Sequence, residues 1–131
     1  MVVRRTARRP PPKELAMTAY ALAHLRPQPP LHEDVFTYIE RIQATMDPFG
    51  GRFLVHGTDP DVIEGPLEGG YVLIEFPDMD KARGWYESDA YQAILRMRTD
   101  HIEGTAVLLR GVPPNYDAAA TGKAMRAAQN G

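Results

Sequence analysis

WYESDAYQAILRMR, residues Trp85 to Arg98, is the stretch whose reading decides the fold. Two aromatics lead into Ser88, whose hydroxyl suits a helix N-cap because it accepts from an amide that the first turn leaves without a partner. A helix opening at Asp78 therefore breaks at Ser88 and restarts, giving a two-part helix that runs to about Ile102. In the second part Tyr91, Ile94, Leu95 and Arg98 fall at i, i+3, i+4 and i+7, the spacing of one face pressed on a core. Arg98 is the odd member of that stripe. Either its stem covers apolar surface while the guanidinium reaches water or a carboxylate, or it holds an anion or a polarised carbonyl in a cleft with the hydroxyls of Tyr86, Ser88 and Tyr91.

The flanks supply the rest of the architecture. Thr18 to Arg26 is a strand-like run stopped by Pro27, Pro29 and Pro30. Leu31 to Asp47 carries Val35, Tyr38, Ile39, Ile42 and Met46 on one helical stripe, with Glu33 and Asp34 in the first turn, where the helix dipole favours negative charge. Pro48 ends that helix, because the residue before a proline is pushed out of the helical region. After the Gly50-Gly51 turn come Arg52 to His56, a second strand that Asp61 to Glu64 extends along an edge, and Tyr71 to Phe76, a third. Gly104 is read as the stop of the two-part helix and Thr105 to Val112 as the fourth strand. The order strand, helix, strand, strand, helix, strand defines an α+β chain, a ferredoxin-like βαββαβ sandwich on a four-stranded antiparallel sheet.

Period-two alternation sorts the strands into faces. One face collects Ala21, Ala23 and Leu25, Phe53 and Val55, Val72, Ile74 and Phe76, and Val107 and Leu109, and is expected to carry the helices. The other collects Tyr20, Leu22, His24 and Arg26, Arg52, Leu54 and His56, Tyr71, Leu73 and Glu75, and Ala106, Leu108 and Arg110. Its leucine-rich centre is too apolar for a solvated face. A two-fold copy covers such a self-complementary surface most simply, giving a homodimer that closes an α/β barrel. In it Glu75 is expected to neutralise at least one of the neighbouring bases, because unpaired buried charge is costly.

Composition bounds the function. The chain has 131 residues and no cysteine, which removes disulfides, thiolate catalysis and cysteine-held metal centres and fits a reducing, cytoplasmic setting. No apolar run approaches the roughly 20 residues that span a bilayer, so no membrane partner is expected. Residues 1–16 hold five of the 15 basic residues and one of the 17 acidic ones, leaving 10 and 16 in residues 17–131, a formal net charge of −6. That acidic remainder argues against nucleic-acid binding. The division expected is a basic, proline-rich, disordered leader over 1–16, a ferredoxin-like domain over 17–112, and an alanine-rich tail over 113–131 in which Asp117 to Gln129 is a weak helix.

FGGRFLVHG (Phe49 to Gly57), VIEG (Val62 to Gly65) and YVLIEFPDMDKARGWYESDAYQAILRMR (Tyr71 to Arg98), followed by the closing strand, together resemble the family described as domain of unknown function 1330. The likeness runs from about Met17 to Val112. It implies the ferredoxin-like fold and a dimeric α/β barrel, and it implies no particular reaction. By analogy, related dimeric α/β barrels often use the cleft between sheet and helices for small, ring-shaped substrates, with acid–base side chains and no bound metal.

Chemistry-bearing residues form a constellation rather than a motif. The four histidines, His24, His32, His56 and His101, lack the i, i+4 spacing of a helical zinc pair, and the glycines make neither a phosphate loop nor a dinucleotide fingerprint. No metal and no cofactor is therefore expected. The catalytic candidates are His24 as a base, with Arg52 and Tyr91, while Tyr86, Ser88, Arg98 and Glu75 are the candidates for holding substrate. The same residues also fit a polar network that fixes dimer register. Two functions follow: a cofactor-independent enzyme of oxygenase, isomerase or cyclase type acting on a small organic metabolite, or a non-catalytic ligand-binding or accessory dimer. The first needs a pocket of at least about 300 Å³ reached by His24 or Tyr91.

Overall fold

In the computed structural model, which describes residues 17–131, β1 (Ala19–Arg26) leads to α1 (Glu33–Met46), then β2 (Arg52–Val55) and β3 (Gly70–Phe76). Next come α2 (Met79–Glu87), α3 (Asp89–Thr99), β4 (Glu103–Arg110) and α4 (Ala118–Asn130). The expected leader, residues 1–16, lies outside the described residues. The strands pair in the order β2-β3-β1-β4, antiparallel throughout, which is the ferredoxin-like arrangement. No described helix is long and apolar enough to cross a membrane.

The break at Ser88 is as the sequence dictates. Its hydroxyl donates to the carbonyl of Trp85 at 2.7 Å, closing α2, and accepts from the amide of Tyr91 at 3.2 Å, opening α3. Asp78 caps α2 by accepting from the amide of Lys81 at 2.8 Å. The two short helices thus meet at a fixed angle, and Trp85 and Tyr91 arrive side by side with ring centroids 4.2 Å apart. The core gathers around them from Ala19, Tyr38, Ile42, Met46, Ile74, Phe76 and Ile94. Trp85 donates its indole N–H to the buried hydroxyl of Thr45 at 3.0 Å, so α1 and α2 share a satisfied polar pair inside that core.

Expectations fail at three places in the chain. Gly104 lies inside β4 rather than stopping a helix, because β4 begins at Glu103 and α3 ends with Asp100 as its C-cap. A Cβ on Gly104 would sit 2.5 Å from the carbonyl oxygen of His24, so the residue is small because two strands meet there. Secondly, β4 has the opposite parity to that expected: Leu108 pairs with Ala21 and Ala106 with Ala23, toward the helices, while Val107 and Leu109 face the open side at 41% and 45% exposure. A strand apolar at four consecutive positions does not disclose which face is which. Thirdly, β2 stops at Val55 and Asp61 to Glu64 form no strand. A register shift between Phe53 and Val55 sets Val55 opposite Leu73 and turns His56 toward the helix side, where its ring stacks on Phe53 with centroids 4.4 Å apart.

α4 follows Asp117, whose side chain accepts from the amide of Ala119, and it buries none of its side chains. On the open face of the sheet Arg52 Nε donates to Glu75 Oε1 at 2.8 Å, the neutralisation expected of Glu75.

Gly104→Ala should lower stability to urea by about 1–3 kcal/mol, since the new methyl group meets rigid backbone. Gly70→Ala, whose added carbon meets nothing, is the control. Equal midpoints for the two variants would contradict the close approach.

Candidate functional site

Between the sheet and the helices lies a cavity of about 380 Å³. Its walls are mostly aliphatic and aromatic: Ala21, Ala23, Phe53, Val72, Ile74 and Leu108 from the sheet, Val35, Tyr38, Ile39 and Ile42 from α1, and Trp85, Tyr86 and Tyr91 from α2 and α3. The ionisable groups in the lining are Arg98, Arg83, His56 and three tyrosines. Among the described residues no carboxylate joins them.

Arg98 comes from the last turn of α3 and is 9% exposed. Its Nε donates to the hydroxyl of Tyr38 at 3.2 Å and its Nη2 to that of Tyr91 at 3.5 Å. The two hydroxyls are 2.7 Å apart. The guanidinium carbon also lies 5.6 Å from the centroid of the Tyr38 ring, within cation–π range. Among the described residues no carboxylate comes within ion-pair distance of Arg98. Burial works against its charge, but the two phenols more than offset that and hold its pKa above the ordinary arginine value.

Burial is also the main reason that Tyr38 holds its proton far more tightly than a free tyrosine. The Tyr91 phenol adds to that effect and Arg98 opposes it. The cleft therefore presents a permanent cation and a phenol that stays protonated, both of them hydrogen-bond donors.

The sequence candidates divide between the two sides of the sheet. Tyr91, Tyr86 and Arg98 line the cavity. Ser88 holds the helix junction, with its hydroxyl committed to Trp85 and Tyr91. His24, Arg52 and Glu75 are in register with the open face: His24 stacks on Tyr71 with centroids 4.9 Å apart, and its Nε2 lies 2.7 Å from the carbonyl oxygen of Glu68. The structure does not bring them to Tyr91. The cavity adds Tyr38, Arg83 and His56. For Tyr38 a signal was present, since it puts a phenol on the apolar stripe of α1, though nothing local separates it from a core tyrosine.

This geometry belongs to a ferredoxin-like protein with a cleft under its helices. The chain belongs to the family described as domain of unknown function (DUF1330), whose model matches residues 18–112. No curated protein matches it. Among solved structures it is similar to RPA0582, a protein of unknown function from Rhodopseudomonas palustris, at 14% identity and a TM-score of 0.60, covering 76% of this chain and 85% of that one. The methylated form of RPA0582 aligns at 15% identity with a TM-score of 0.61, covering 76% and 84%. A dimeric ferredoxin-like protein of unknown function from Thermobifida fusca aligns at 17% identity and a TM-score of 0.50, covering 72% of this chain and 91% of that one. At these identities the likeness concerns the fold.

The tight hold of Tyr38 on its proton has a measurable sign. Above about pH 10 an unfolded tyrosine loses its proton while the folded Tyr38 keeps it, so stability falls as pH rises through that range. The alkaline loss should be steeper in the wild-type protein than in Tyr38→Phe, and the difference between their phenolate absorbance titrations should stay flat through the range in which an exposed tyrosine ionises. A Tyr38 phenolate forming below about pH 10 would contradict the buried network.

Proposed function

We propose that the cleft binds a small, flat organic anion or polarised carbonyl compound, and that the protein acts on it as a cofactor-independent enzyme of oxygenase, isomerase or cyclase type. The observation that carries this reading is the lining, which among the described residues has aromatic and aliphatic walls, two arginines and three phenols, and no acid. Apolar walls suit a ring. Arg98 and Tyr38 donate to an oxygen that gains negative charge, which is the arrangement that stabilises an enolate or phenolate. His56 supplies the imidazole available in the cleft for proton transfer. His24, facing the other side, is read instead as part of the open face.

A non-catalytic binding module is the second reading, and the mutual hydrogen bonds of Tyr38, Tyr91 and Arg98 favour it, since those groups satisfy one another without a substrate. The two readings part on turnover. In the first, a bound compound is converted over time and His56→Ala retains binding while losing conversion.

The open face supports a homodimer. Leu54, Tyr71, Val107 and Leu109 are each at least 40% exposed there, around the less exposed Leu22 and Leu73. A second copy turning the same face inward would bury this patch and close a barrel. In sedimentation the chain should run as a dimer at micromolar concentration and Leu109→Asp as a monomer. A monomeric wild type would count against the barrel.

Thermal-shift and calorimetric screening against aromatic and keto acids tests the cleft. At least one such acid should bind. Arg98→Met should weaken it ten-fold or more, about 1.4 kcal/mol. The variant should fold with unchanged or raised stability, because an apolar side chain of similar length often replaces a buried charge without loss. Undiminished binding by Arg98→Met, or no binding by any acid, would overturn the proposal.

A further inference from the structure

His32 and His101, far apart in the sequence, stack face to face where the start of α1 meets the link from α3 to β4, with ring centroids 3.8 Å apart and an interplanar angle of 9°. Asp34 lies beside them, its Oδ2 3.3 Å from Nε2 of His101 and 3.7 Å from Nδ1 of His32. One ligand atom from each of the three falls within 4.8 Å of the others. We propose that His32, Asp34 and His101 form a binding site for a divalent transition-metal ion of the zinc, cobalt or nickel type.

Donor chemistry sets the class of ion. Two imidazoles and one carboxylate suit a borderline cation and leave a coordination position open, whereas calcium and magnesium favour sites made wholly of oxygen. Bonds of about 2.0–2.2 Å place tetrahedral ligand atoms about 3.3–3.6 Å apart. Asp34 and His101 already have that separation. His32 completes the set by rotating about its side-chain torsions, for which its 53% exposed side chain leaves room.

Coordination has a competitor in the structure. Nδ1 of His32 accepts the amide of Asp34 at 3.0 Å and so caps α1. Binding through Nδ1 takes that lone pair, and binding through Nε2 leaves the proton on Nδ1, so the ion displaces the cap in either case. The affinity is therefore micromolar rather than that of a preformed structural zinc site. The neighbours Val35 and Ile102 line the cavity, which places the ion at the edge of the same cleft. The proposal does not depend on what the cleft binds.

Calorimetry on the untagged, chelator-treated full chain provides the test. One Zn2+ should bind per chain with a micromolar dissociation constant, and Co2+ should give visible absorption bands on binding. His101→Asn and Asp34→Asn should each weaken Zn2+ binding at least ten-fold while leaving the circular dichroism spectrum unchanged. No Zn2+ binding up to about 1 mM, or Zn2+ binding undiminished in both variants, would overturn the proposal.

Discussion

A guanidinium buried with no carboxylate partner among the described residues is the constraint around which the interior of this protein is arranged. Removing a cation from water is costly, and Arg98 meets that cost with two phenol hydroxyls and one aromatic face. Those phenols come from different helices, Tyr38 from α1 and Tyr91 from α3, so the polar cluster also holds the two helices together. Tyr91 reaches it only because Ser88 ends α2 and starts α3 at the right place. A capping hydroxyl, a helix break and the position of a charge are thus successive links in one chain of causes.

The sheet serves two environments. Toward the helices it offers small residues, Ala21 and Ala23, opposite Leu108 and Ala106, and these leave room for a cavity rather than a solid core. Away from the helices it offers leucine, valine and tyrosine around the Arg52–Glu75 pair. The register shift in β2 assigns His56 to the first side, while regular alternation keeps His24 on the second. A single irregularity in an edge strand therefore decides which imidazole faces the cleft.

Element order, the split helix and the apolar open face were legible in the sequence, because each rests on a short-range signal such as a cap, a period or a proline. What escaped depends on register or on distant contacts. The parity of β4 was hidden by apolar residues on both of its faces. The role of Gly104 is hidden because a close approach of strands looks locally like a helix stop. Tyr38 stands on the stripe of α1 that the sequence shows, but its bond to Arg98 joins residues 60 positions apart. His32 and His101 each look like an ordinary residue at a helix end, and only the packing of α1 against α3 sets their rings together.

On the proposed reading, Arg98 is kept in the interior to meet a ligand's negative oxygen. Nuclear magnetic resonance of the arginine Nε–Hε groups observes that contact directly, with Arg98 assigned by its loss in Arg98→Met. Titration with a bound aromatic or keto acid should move the Arg98 resonance more than that of any other arginine. An acid that binds while the Arg98 signal stays still would show that the guanidinium serves the fold alone.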